Sequence, residues 1–266
     1  MILNSLIHFF IFLFGLAVGS FLNCLIYRLE VGEGFLKGRS YCPHCKHVLS
    51  WKDLIPIFSF LILKGKCRYC QKRISWQYPL VELSTGIIFL LIFLTSLRIN
   101  NYTPVYLLIM ACFLIVVFVY DLKHYIIPDK VIYPAIFVSG IWYLVSGISF
   151  NFYTRYEILN TIYSALVAAA FFLLIVLISR GKWMGVGDIK LAFLMGLILG
   201  WPNILVALFF AFFIGAIIGL GLIISGKKTL KSEVPFGPFL VTGTFIALFS
   251  GGQIIHWYLN LFNLTI

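Results

Sequence analysis

Charge is what this chain has least of. Only 11% of its 266 residues are Asp, Glu, Lys or Arg, and just nine are acidic. A soluble domain carries about a quarter charged residues and breaks its apolar stretches with polar ones. That class is excluded here, because 62% of the residues are hydrophobic and they gather in long uncharged blocks. A bilayer suits such blocks, since its hydrocarbon core of about 30 Å takes roughly 20 helical residues to cross. No water is available in that core to bond open backbone groups, so each block is expected to be a helix. The first block also lacks a basic leader and a small-residue cleavage site, and is expected to be a retained span.

Approximate spans fall at 4–27, 79–97, 104–121, 131–149, 157–179, 188–200, 203–225 and 238–260. Gly200-Trp201-Pro202-Asn203 is a turn signal that separates the short sixth block from the seventh. Without that break the count would be seven. The fold class expected is an all-α polytopic membrane protein of about eight transmembrane helices, with a large loop between the first two. This divides the chain into a first transmembrane helix (1–27), a loop module (28–78) and a seven-helix membrane domain (79–266).

The basic residues supply an orientation. With 28–78 assigned to the cytoplasm, eighteen of the twenty Lys and Arg fall in cytoplasmic segments, and only Arg98 and Arg155 lie outside. This matches the positive-inside rule. It supports the even count, because one missing span would invert every later loop, and it predicts both termini outside. The net charge of +11 is accounted for without a nucleic-acid partner.

The loop carries Cys42-Pro-His-Cys45 and, after 21 intervening residues, Cys67-Arg-Tyr-Cys70. Each CxxC forms a tight turn that presents two thiolates, and two such turns read as a tetrahedral zinc site. Disulfides are disfavoured in a reducing cytoplasm. Four sulfurs close the coordination sphere, so the zinc is expected to be structural, folding a loop too small to build its own core. His44 and His47 are expected at the surface, residues 49–56 as a packed spacer, and Cys24 and Cys112 as small packing residues.

Nine acids are few enough to weigh singly. Glu30, Glu33 and Asp53 are expected to be solvated or paired within the basic loop. Glu82, Asp121, Asp129 and Asp188 lie near the cytoplasmic ends of spans, where an ionisable group is a functional candidate. Asp121 ends the third span and Asp188 opens the sixth, in Gly185-Val-Gly-Asp188. At similar depth, they could share one water. Two carboxylates in a poorly solvated site do not both ionise, so one can take a proton from water while the other polarises an amide carbonyl. Gly185 and Gly187 would let a substrate backbone approach. On these grounds alone, Asp129 or Glu82 could equally be the partner.

Taken together, the motifs resemble those of the type IV prepilin peptidase family. The resemblance covers most of the chain: Gly19-Ser-Phe-Leu-Asn23, Arg28-Leu29, both CxxC pairs, Leu54-Ile-Pro56, Gly65-Lys-Cys67, Tyr78-Pro-Leu-Val-Glu82, Asp121, Ile127-Pro-Asp129, Gly185-Val-Gly-Asp188 with Lys190, and Pro235-Phe-Gly-Pro238. Glu30 stands where the family usually has proline.

The resemblance implies an intramembrane aspartyl protease in the bacterial inner membrane. Its catalytic pair would be Asp121 and Asp188, and its zinc ligands Cys42, Cys45, Cys67 and Cys70. Its substrates would be prepilins or pseudopilins, cut after a glycine at the cytoplasmic face. The resemblance also implies methylation of the new N-terminus from S-adenosylmethionine, an activity associated with the cysteine loop. No glycine-rich Rossmann fingerprint for that donor is present, so its site would be built from the loop and span ends. A transporter or channel using the aspartates, or a scaffold docking partners through the zinc loop, are the readings from other classes.

Overall fold

The computed structural model describes residues 2–34, 38–96, 103–149, 155–226 and 234–261. Arg98 and most of the 226–237 loop, with Lys227, Lys228 and Lys231, lie outside the described residues. The elements in order are α1 (Ile2–Val31), a 3-10 turn (Trp51–Asp53), α2 (Phe58–Ile62), α3 (Gln77–Ser96), α4 (Thr103–His124), α5 (Asp129–Ser149), α6 (Arg155–Ser179), α7 (Val186–Leu199), α8 (Asn203–Ile224) and α9 (Gly237–Leu261). Among the described residues the only extended pairings are two isolated bridges inside the cysteine loop.

Among the described residues, eight helices therefore stand where the eight apolar blocks are, and six of them are long and apolar enough to cross a membrane: α1, α3, α4, α6, α8 and α9. Of the other two, α7 is set apart by its length. The α7 helix has 14 residues, about 21 Å at 1.5 Å per residue. The α5 helix opens on Asp129 and Lys130 and contains Pro134 together with several hydroxyl-bearing residues. At the break after α7, Gly200 adopts φ +66°, a conformation glycine takes without strain. That turn ends α7 and lets α8 begin at Asn203.

The chain forms two compact units, Met1–Ile115 and Val116–Ile266. In the first, α1 packs along α3, and small residues allow the close approach. A Cβ on Gly15 would lie 2.8 Å from Cα of Gly86, and one on Gly19 would lie 2.7 Å from Cα of Glu82. Asn23 is buried there and donates to the Tyr78 carbonyl at 3.0 Å.

In the second unit α6 packs on α7 and α8 on α9, while α7 also meets α5 and α9. Gly196 of α7 lies against the backbone of Ala165, and Gly243 of α9 against the Ala207 carbonyl, so neither position has room for a side chain. The Tyr143 hydroxyl of α5 donates to the Leu197 carbonyl at 2.5 Å, tying α5 to α7. This inward α7 carries the fully buried Leu191, Ala192, Leu194 and Met195. The outer faces of α6 and α8 expose Leu174, Ile178, Phe209 and Leu220, as helices facing lipid do.

Candidate active site and metal centre

The cysteine loop is built from one turn used twice. In the first, Cys42 N–H donates to His47 O and Lys46 N–H to Cys42 O; in the second, Cys67 N–H donates to Lys72 O and Gln71 N–H to Cys67 O. The fourth residue after each leading cysteine, Lys46 or Gln71, takes a positive φ near 58° that closes the turn. An antiparallel bridge flanks each turn, Tyr41 with Val48 and Lys66 with Arg73.

The four ligand sulfurs of Cys42, Cys45, Cys67 and Cys70 all lie within 4.8 Å of one another. Cys42 Sγ and Cys70 Sγ are 3.9 Å apart, close to the roughly 3.8 Å separating sulfurs around a tetrahedral zinc. These residues therefore fit a four-sulfur metal site. Burial opposes ionisation of Cys42, but backbone N–H groups of Cys45 and His44 and the neighbouring thiols bring it down to about 7. Cys70 accepts from the Lys72 backbone, yet burial and the other three thiols push it up to about 11. The cluster so holds a thiolate near neutrality, the form a metal binds. His44 and His47 are exposed and outside the cluster, and the His47 ring lies 3.7 Å from that of Tyr69, joining the two turns.

Asp53 is the residue this module depends on and composition did not single out. Its Oδ2 accepts from Ser50 N–H, Ser50 Oγ and the Tyr69 hydroxyl, and its Oδ1 from Arg68 Nε at 2.7 Å. One carboxylate thus ties the spacer to the second turn. Burial works against its charge, but Arg68, Ser50 and Tyr69 hold the carboxyl down to about 2. The Ser50-Trp-Lys-Asp53 spacing is a capping-box pattern, a signal present in the sequence. The spacer itself is less enclosed than expected, with Trp51 71% exposed.

Asp121 and Asp188 are both buried, in the last turn of α4 and the first turn of α7. Asp121 is bonded to the start of α9, and α9 in turn packs on α7, which carries Asp188. Each aspartate has one oxygen held by a glycine N–H. Gly237, first residue of α9, donates to Asp121 Oδ2 at 3.0 Å; Gly185 donates to Asp188 Oδ2 at 3.2 Å. Both bonds come from helix N-termini, where unpaired N–H groups favour negative charge. A Cβ on Gly237 would meet Asp121 Oδ2 at 2.5 Å, so that position has no space for a side chain. Phe236 beside it packs on Phe172, Phe212 and Phe239, fixing the start of α9.

The two glycines before Asp188 differ. Gly187 is pressed against Ile127, where a Cβ would sit at 3.0 Å, whereas Gly185 faces open space apart from its own turn. Room beside Asp188 thus comes from Gly185. The other two membrane-edge acids are engaged elsewhere. Asp129 Oδ1 pairs with Lys190 Nζ at 2.6 Å, and Lys190 also lies 4.7 Å over the Tyr133 ring, joining α5 to α7. Glu82 belongs to the first unit, where Oε2 accepts the Ile57 N–H at 2.7 Å.

Known proteins divide the chain in the same order as these features. Residues 13–96 match the bacterial peptidase A24 N-terminal domain, and residues 108–220 match the type IV leader peptidase family. A prepilin leader peptidase/N-methyltransferase of Aeromonas hydrophila is 31% identical over 95% of this chain and 93% of its own length. The protein of that name in Bacillus subtilis is 31% identical over 94% of this chain and 97% of its own. The chain belongs to the type IV leader peptidase family. A third protein so named, from Myxococcus xanthus, is 34% identical over 84% of the chain. No solved structure matches the chain. As a type IV leader peptidase it is a multi-pass membrane enzyme, and the transporter and scaffold readings find no support among these relatives.

Proposed function

We propose that this enzyme removes the leader of prepilins or pseudopilins, cutting after a glycine at the cytoplasmic face with water activated by Asp121 and Asp188. The reading rests on one arrangement: two buried carboxyls on helices linked through α9, each with one oxygen taken by a glycine N–H. That arrangement leaves the second oxygen of each free for chemistry. One carboxylate takes a proton from water as the water oxygen bonds to the scissile carbonyl carbon. The other, protonated because two neighbouring carboxylates resist ionising together, gives its proton to the carbonyl oxygen. Collapse breaks the C–N bond, the amine leaves with a proton from the dyad, and the leader departs as a carboxylic acid. Gly185, open on its outer side, gives the substrate backbone its approach.

The cytoplasmic orientation follows from the distribution of Lys and Arg, with both termini outside. In this scheme Cys42, Cys45, Cys67 and Cys70 hold a structural zinc that folds the 28–78 module. After cleavage the new N-terminus is methylated from S-adenosylmethionine, an activity assigned to that module, while 79–266 carries hydrolysis. The relatives' shared name joins the same two activities.

Purified protein in detergent, offered a prepilin, tests the reading. Wild type cleaves; Asp121→Asn and Asp188→Asn do not, and undiminished cleavage by either variant refutes the dyad. Transfer of labelled methyl from S-adenosylmethionine to cleaved pilin tests the second activity.

A further inference from the structure

The chain between the two cysteine turns does more than link them. The bond from Ile57, just before α2, to Glu82 fixes the depth of this segment. The apolar span of α3 begins at Gln77, so Glu82 stands about 7.5 Å inside it at 1.5 Å per residue. A hydrogen bond from Ile57 to that carboxylate draws the segment down to the level of the headgroup–acyl boundary, where interfacial helices lie. A second contact agrees. The ring of Phe60 in α2 is 4.9 Å from that of Trp76, the residue immediately before the span, and tryptophan favours that boundary.

The surface presented there is apolar. Phe58 is 58% exposed, Leu61 60% and Ile62 73%, with Leu54 and Ile55 also exposed. The backbone is suited to a place with little water. The N–H groups of Ser59, Leu61, Leu63 and Lys64 bond to carbonyls of Ile55, Ile57, Ser59 and Leu61, and that of Ile57 goes to Glu82. Unpaired donors would oppose burial in lipid. Charge surrounds this patch: residues 38–76 contain eight Lys and Arg against the single acid Asp53, itself paired with Arg68. Lys52 and Lys64 flank the segment and are exposed, and long basic side chains keep their charge at the surface while their stems cross apolar ground.

We propose that residues 54–62 are an interfacial membrane anchor, seated in the leaflet where α3 begins, with Lys52 and Lys64 reaching anionic headgroups. The cysteine module is thereby moored to the bilayer as well as to α1 and α3. This does not depend on the assignment of the aspartates.

The test places p-benzoylphenylalanine at Ile62, at Phe58 or, as a control in the second cysteine turn, at Lys72. Full-length protein is reconstituted in nanodiscs containing phosphatidylglycerol and irradiated, and adducts are identified by mass spectrometry. Lipid adducts should be several-fold more abundant at 58 and 62 than at 72. Equal yields at the three positions, or adducts to protein alone at 58 and 62, overturn the proposal. The change at Phe58 keeps a ring in place, so it reads out even if the Ile62 replacement fails to fold.

Discussion

In the cysteine module, four clustered sulfurs come from two turns that repeat the same backbone bonds within five residues of a leading cysteine. The aspartates instead stand on α4 and α7, and the donors that hold them come from the turn that opens α7 and from α9. The first site is local and self-contained, and its hub, Asp53, is anchored by a residue three positions away and by the facing turn. The second exists only once three helices have packed. The difference teaches that damage to one should leave the other largely intact, and that the aspartate site is the more sensitive to small displacements.

The sharpest way to break this comparison is to remove a carboxylate. Asp121→Asn or Asp188→Asn should lower the cleavage rate by roughly 10⁴-fold, in the range seen for members of catalytic groups that act as a unit. Zinc content, measured on the same preparation, should be unchanged. Next in size is Gly237→Ala, whose Cβ would sit 2.5 Å from Asp121 Oδ2 and force the carboxylate aside. Displacements of this order cost about 100-fold, so kcat should fall by that order while KM holds steady; steady-state kinetics on a prepilin would check it.

The reverse experiment is Cys42→Ser with Cys67→Ser. Bound zinc should be lost by metal analysis, and methyl transfer with it, while prepilin cleavage persists. Loss of cleavage to the level of the aspartate variants would mean that the two regions are not separable.

A smaller effect is expected from Asp53→Asn, read as faster zinc release to a chelator. Because the folded carboxyl is held below its ordinary 3.8, at about 2, its contribution is complete above the ordinary value. It is lost only as pH falls from there toward 2. The difference between variant and wild type should therefore be flat between about pH 5 and pH 8. Lys190→Ala should matter least. It breaks an ion pair whose Asp129 side chain is 60% exposed, a type worth about 0.2–1 kcal/mol, so the melting temperature in detergent should move only slightly.

How far each region was legible follows the same divide. The CxxC turns were readable because their ligands are close in sequence and the geometry of each turn is local. The eight helices were readable from apolar length, though α7, at 14 residues, is shorter than a full span. For the aspartates, charge distribution indicated a common depth, but nothing in the residues chose between Asp129, Glu82 and Asp121; the resemblance to a family did that. The bonds from Gly237 to Asp121 and from Ile57 to Glu82 were not legible, because a backbone N–H leaves no mark in the sequence. Gly187 was read as room for substrate, and Ile127 fills that room.

The brevity of α7 carries one more consequence. A hydrolase within a bilayer has a supply problem, since its second substrate is the molecule the bilayer keeps out. A helix of about 21 Å leaves roughly 9 Å of a 30 Å hydrocarbon layer unspanned. Asp188 lies in its first turn, beside the open flank of Gly185. A full-length span would carry lipid up to that carboxylate. On the proposed reading of Asp188, a truncated one would leave solvent a way in at that end, and the length of α7 would itself supply the nucleophile.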